Sequence, residues 1–489
     1  MPFDSPQPDG PATVKFPHRS RRGVLLGLSA PQLVAATITG LLLLAVLMAS
    51  GVPGALKLIP LWALILSAVF VRHRGRSLAD WAPIALRYTW RRSKRQLVWL
   101  TRPSSRPRRD GLLHLPGTAA SLRVVTSPDG RLSAVHDPHN GTLTAVVKVS
   151  SRAFALLDPS TQNHNVAGWG RTLAALARTG HIARVQVLER TVPDSGDSLN
   201  RYWGAYGNPQ AHLAGRVYAD LLTAAGPAAA PHESYVALAL DLKAGRRLIN
   251  QAGGGLTGSF AVLAQLTFTF NQAARTSGLT PGGWLLATEI AAVIRTANDP
   301  KALAALDQWS ATGRPQADPA AAGPVVLVEK ADRIETDSAH HATFWIENWP
   351  RIETSPGFLH QLLFTSGVRR TLSLTYEPKG LDAALKDVQR KKATVIADAA
   401  ERQRKGQVDS EEDSVEYADI KDRERQLIAG HADVALTGLI TVSADTAEQL
   451  NSACAAIETA AVAALVDLRP LTWQQAEAFT NAALPLARP

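Results

Sequence analysis

The chain has 489 residues, 46% of them hydrophobic and 19% charged, which excludes a mostly disordered polymer and allows roughly two to four folded units. Its single cysteine, Cys454, excludes an intramolecular disulfide and a thiolate zinc cage. The net charge of +10 is local: residues 1–109 carry 17 Lys+Arg against 3 Asp+Glu, and the remaining 380 carry 35 against 39. A basic block beside an apolar one marks a membrane boundary rather than a phosphate-binding surface, and the balance of −4 beyond it argues against strong nucleic-acid binding.

In chain order, a basic tail (1–22) precedes a stretch from Gly23 to Leu56 without a charged residue. Pro31–Ser50 has the length of a bilayer crossing, about 20 residues. The run Ser50-Gly51-Val52-Pro53-Gly54 breaks it, and Leu58–Val71 is a second, shorter apolar segment. Two crossings over 23–71 are expected, with Lys57 snorkelling and Trp62 as an interfacial anchor. A cleaved signal peptide, or one crossing followed by a buried or re-entrant segment, are the competing readings. Lys and Arg are concentrated on both flanks, four before the apolar block and twelve in 72–109, with only Lys57 between the two segments. Both termini and the body are therefore expected in the cytoplasm, at the inner or plasma membrane.

Residues 72–110 form a juxtamembrane segment and linker. Arg72, Arg74, Arg76, Arg91 and Arg92 alternate here with Trp81 and Trp90, a composition suited to a helix lying in an anionic leaflet. The stretch RPSSRPRRDG then marks a domain boundary.

Over 111–315 the pattern predicts a hairpin around Asp137-Pro138-His139-Asn140-Gly141 and a helix over Asn165–Arg178. A strand at Ile182–Val192, a helix at Tyr202–Ala225 and a strand at Tyr235–Leu242 follow. Helices near 255–276, 283–297 and 302–309 complete an α+β subdomain. Over 324–489 the order β-α-β-(αα)-β-α-β predicts a ferredoxin-like unit with a charged helical hairpin at 379–430 inserted. Asp445 is the expected cap of the helix Thr446–Leu465. The fold class is thus a membrane-anchored α+β protein: a two-helix transmembrane hairpin and two mixed subdomains, with no repeat evident in the sequence.

No phosphate loop of the form G-x-x-x-x-G-K-[ST] occurs. Gly253–Ser259 lacks the lysine such a loop needs, and reads as helix-start glycines. Adjacent His340 and His341 point apart on a strand, so they do not form a metal pair. Cys454 falls in an apolar helical pattern and reads as an inert thiol. No catalytic, cofactor-binding or metal-binding residue is assigned. Lys386, Arg390, Lys391, Lys392, Arg402, Arg404 and Lys405 of the charged hairpin read as a solvated face or a partner-docking surface.

The segment WAPIALRYTWRRSKRQLVWL after the apolar block carries a resemblance. So do RLSAVHDPHNGTLTAVVKVS, the helix with Trp169-Gly170, TLSLTYEP before the charged helices and the closing QQAEAFTNAALPL. Together they resemble an actinobacterial family from conjugation-type gene clusters. That family joins a PrgI-like, VirB-class membrane hairpin to a body similar to the N-terminal region of the type IV secretion ATPase, without its motor domain. The resemblance implies a non-enzymatic inner-membrane component of a conjugative or type IV secretion-like apparatus. Its partners would be the lipid bilayer, a separate ATPase and other membrane-complex subunits of an oligomeric assembly. A type VII secretion membrane subunit and a membrane-anchored nucleotide-binding protein are the alternatives.

Overall fold

The computed structural model describes residues 13–14, 16, 30–60, 62, 71–73, 76–101, 110–151, 154–192, 197–208, 213–225, 232–312, 317–404 and 411–488. The chain begins with α1 (Ala30–Lys57), a two-stranded pair β1 (Arg72–His73) and β2 (Arg76–Ser77), α2 (Leu78–Ser93) and β3 (Val98–Leu100). A first half contains β4 (Arg123–Thr126), β5 (Ser133–Asp137), β6 (Thr142–Ser151), α3 (Pro159–Arg178) and β7 (Ile182–Thr191). It continues with α4 (Asp197–Tyr206), α5 (Leu213–Ala225), β8 (His232–Asp241), α6 (Arg246–Gln251), α7 (Gly255–Arg275) and β9 (Leu279–Trp284). Two helices close it, α8 (Ala287–Asn298) and α9 (Ala302–Ala311). A second half contains β10 (Val326–Glu329), β11 (Ile334–Glu335), β12 (His340–Asn348), α10 (His360–Leu363), β13 (Arg369–Lys379), α11 (Leu381–Arg404) and α12 (Glu411–Ile428). It ends with β14 (Asp433–Ala444), α13 (Ala447–Ala463), β15 (Asp467–Pro470) and α14 (Gln475–Ala483).

Local chemistry sets several of these boundaries. Asp158 caps α3 by accepting from the Thr161 amide at 2.8 Å, with Pro159 in the first turn, where a missing N–H costs nothing. Thr446, not Asp445, caps α13; Asp445 instead pairs with Arg369. The expected single helix Tyr202–Ala225 is two helices. The expected helix over 283–297 begins only at Ala287, because Leu279–Trp284 is an edge strand along the second part of β6. Pro281 fits an edge, where one ladder bond is dispensable.

That strand reveals a repeat hidden in the sequence. The first half has the sheet order β9-β6-β8-β7 and the second β15-β12-β14-β13. Each is fourth-first-third-second, with a helix pair inserted between the second and third strands. In each, a short hairpin (β4–β5, β10–β11) precedes the first strand and shares its edge with the fourth. The halves are not separate bodies: β7 pairs antiparallel with β13, Thr371 opposite Arg190 through Tyr376 opposite Val185, in one antiparallel sheet of 13 strands.

Both faces of this sheet are covered. On one, Leu173 and Leu176 of α3 and Phe260, Leu263 and Phe270 of α7 bury Ala145, Val147, Val236 and Leu238; α13 covers Phe344, Ile440 and Val442 in the second half. On the other, α8 places Ile290 and Ile294 against Val146, Ala237 and Leu188, and α14 lies on the second half. The C-terminus locks the halves together. Gln186 donates to the Ser373 hydroxyl at 2.8 Å and to the Leu484 carbonyl at 3.1 Å, and accepts from the Ala487 amide at 2.8 Å. Arg488 reaches Asp137 at 2.9 Å. The loops that lead into β4 and β10 also touch: a Cβ on Gly323 would sit 2.2 Å from the His114 carbonyl oxygen, so only glycine fits.

Candidate membrane-anchoring site

Gln32–Pro53 is 22 residues with mean hydropathy 2.3 and none of its most apolar stretch buried by the rest of the chain. By length and composition this one helix can cross a membrane. Two of its polar side chains bond within the helix: the Thr37 and Thr39 hydroxyls donate to the Leu33 and Ala35 carbonyls at 2.8 and 2.7 Å. The sequence break is a real one. Gly51 takes φ 64° and ψ −169°, which ends one helical run, and Pro53 opens the next. Helical conformation continues at 59–60 and 62, but most of the second apolar segment, Leu58–Val71, lies outside the described residues.

Both flanks of α1 dock on the second half of the body. Before it, Val14 and Thr354 exchange amide–carbonyl bonds at 2.8 and 3.1 Å. Phe16 stacks on Trp349 with ring centres 5.0 Å apart and meets Phe358 edge-on at 5.5 Å. After it, a reciprocal capping box between Ser77 and Asp80 starts α2. Trp81 and Tyr88, two turns apart on one face, are buried against Trp473, with Trp81 edge-on at 5.6 Å. Arg91 pairs with Glu329 at 2.7 Å, and Arg87 with Glu477 at 3.3 Å. The Glu329 carboxylate is fully buried and also accepts the Ala476 amide at 3.2 Å, in the first turn of α14, where negative charge is favoured. β3 then pairs with β10.

The nine residues expected at the interface thus divide. Trp81 and Arg91 are engaged with the body instead of being presented to lipid, because Trp473 and Glu329 offer them a buried partner. Trp90 is 64% exposed with the Lys94 ammonium 5.5 Å above its ring, Leu86 is exposed one turn away, and Arg92 is exposed. Lys57 is exposed in the last turn of α1, and Trp62 is helical and half-buried. Arg72 and Arg76 lie on β1 and β2, and Arg74 lies outside the described residues. Sequence reasoning missed Phe16, Trp349, Glu329 and Trp473. The only signal for them was the unpaired aromatic and basic content of 77–100, which says nothing of partners more than 200 residues away.

Other chemistry-bearing residues are buried or paired. The His341 ring bonds the Ser443 and Thr336 hydroxyls at 2.8 and 2.9 Å, and burial, then the Arg369 and His340 charges, push its pKa down to about 3. Burial pushes the Cys454 thiol up to about 12. Burial works against the Glu233 carboxylate, yet Arg190 and Lys148 hold it at about 2. Gly253, Gly254 and Gly255 all have positive φ, as the turn into α7 requires. Among the described residues no group of three or more His, Cys, Asp or Glu could hold a metal ion. A cavity of about 40 Å³ between the halves is lined by Arg190 and Arg369, but Glu233 and Asp445 already pair with them. No protein-family model matches the chain, and a search of curated proteins finds none similar to it.

Proposed function

We propose that the chain is a non-enzymatic inner-membrane component of a conjugative or type IV secretion-like transfer apparatus. A membrane hairpin would anchor it, and its cytoplasmic body would dock a separate ATPase. One observation carries the anchoring: residues on both sides of the apolar helix, Val14 and Phe16 before it and α2 and β3 after it, pack on the same half of the body. If α1 crosses a bilayer, the chain must cross back before Leu78, so the number of crossings is even. That supports the hairpin over a single crossing, and over a cleaved leader, whose tail would leave with it. The basic flanks favour the cytoplasm for the body. The apparatus itself rests on the sequence resemblance, and the docking role on a body with no recognisable nucleotide loop.

The test is purification from detergent with the motor ATPase of the same gene cluster. The reading expects a stable complex and no ATP turnover by this chain alone. Turnover by the isolated chain, or a thermal shift with nucleotide, would place it among nucleotide-binding proteins instead.

A further inference from the structure

The two halves repeat each other, and in only one of them is the outer groove filled. In the second half α2 fills it. Trp81 and Tyr88 rest on Trp473, two residues before α14 starts, and Arg87 pairs with Glu477, the third residue of α14. The floor is completed by the β10–β11 turn, where the Ala331 carbonyl takes the Trp473 amide.

In the first half α8 stands where α14 stands, directly after the fourth strand. Counted from the helix starts, Leu285 falls on Trp473 and Glu289 on Glu477. The β4–β5 turn with Arg131 takes the place of the β10–β11 turn. No described segment lies over this place. It is an open groove of about 700 Å³ lined by Trp284, Leu286, Glu289, Arg131 and Lys148 among others. Leu286 is 42% exposed. The ring of Trp284 itself turns to the other face of the sheet, onto Phe270 with ring centres 6.0 Å apart, so the groove uses the edge strand and Leu286. Lys148 is paired with Glu233 at 2.7 Å, and the Glu289 carboxylate stands at the start of α8, as Glu477 stands at the start of α14. Glu289 also accepts the Leu286 amide at 2.7 Å, so it is held in place.

We infer that this groove is a docking site for an amphipathic helix of a partner protein. That helix has the chemistry of α2: an aromatic ridge seated on Leu286 and the edge strand Leu279–Trp284, and a basic residue against Glu289. This site follows from the internal repeat and stands independently of the secretion reading. The chain's own α2 is already committed to the second half, so the occupant comes from another protein.

The probe is a fluorescent peptide of residues 77–93, titrated against the full chain in detergent and followed by anisotropy. Saturable binding is expected. Leu286→Glu and Glu289→Gln should each weaken it by about tenfold or more. Gln keeps the acceptor for the Leu286 amide, and Leu286 is exposed enough for Glu to be tolerated; unchanged melting verifies both. Glu477→Gln, in the filled groove, should leave peptide affinity unchanged. Absence of saturable binding, or binding indifferent to Leu286→Glu and Glu289→Gln, overturns the proposal. Light scattering that shows a dimer of the chain dissolved by Leu286→Glu would also overturn it, by making a second copy the occupant.

Discussion

At the centre of α8 the first half packs hydrocarbon, with Arg190 at its margin bonding the Val293 carbonyl and the Thr296 hydroxyl, whereas under α14 the same face of the second half sets a network of hydrogen bonds beside the apolar Leu327, Ile334 and Phe479. Ile290 and Ile294 lie on Val146, Ala237 and Leu188. In the second half the buried residues are Thr343, Thr441, Ser373, His341 and Gln475. Gln475 takes the Thr343 amide at 2.8 Å and returns a bond to its carbonyl at 3.2 Å; the Thr343 and Thr441 hydroxyls meet at 3.0 Å. One strand order thus accommodates two kinds of interior. Burial without direction suffices for the first, but in the second every buried polar group needs a partner. The inserted helix pairs diverge too. α11 and α12 share the apolar residues Val388, Val395, Ile420 and Leu427 and are laced by Arg423–Asp387 at 3.0 Å and Lys392–Glu424 at 2.9 Å. α4 and α5 expose Tyr202, Tyr206, Leu213 and Leu221.

Truncation and titration sharpen this contrast. Ile294→Ala, under α8, should cost about 4 kcal/mol in denaturant unfolding, because it leaves a cavity in a packed apolar site. Arg91→Met should cost about 3 kcal/mol, since it strands the buried Glu329 carboxylate. A cost near zero would mean that α2 is not held by this pair. Gln475→Ala should cost about 2 kcal/mol, by leaving the buried Thr343 amide without the Gln475 acceptor. If it proved more damaging than Ile294→Ala, the two faces would not differ as described.

The pH response separates the halves further. Below pH 6.5 the unfolded chain takes up a proton that folded His341 refuses until about pH 3, so the second half loses stability as pH falls through that window. Glu233 in the first half is held at about 2 against an ordinary 4.5, so its contribution is complete above pH 4.5 and is lost only below it. Melting temperature should therefore fall between pH 7 and 5, and His341→Gln should flatten that fall. An unchanged slope in the variant would remove His341 as the cause.

Part of the architecture was legible in the sequence because it is local. The hairpin at Asp137–Gly141 and the break at Gly51–Pro53 are each written in a few adjacent residues, whereas the cap of α13 falls one residue from the expected Asp445, on Thr446. The repeat was not legible, because its key strand, Leu279–Trp284, contains Pro281-Gly282-Gly283 and imitates a turn; only its pairing with β6 makes it a strand. The pairing of β7 with β13 joins residues more than 180 apart and leaves no local trace. In α2 the aromatic stripes Trp81–Tyr88 and Leu86–Trp90 look alike from sequence. Which one faces the body depends on Trp473, and so only some of the expected interfacial residues face outward.

The central claim is that the proposed apolar hairpin leaves both of its flanks on the side where the body lies. Reporter fusions test it most directly, with a fluorescent protein at each terminus and alkaline phosphatase inserted at Gly54. The account predicts fluorescence at both termini and phosphatase activity at Gly54. An inactive phosphatase at Gly54, or a dark terminal fusion exported from the cytoplasm, would contradict it.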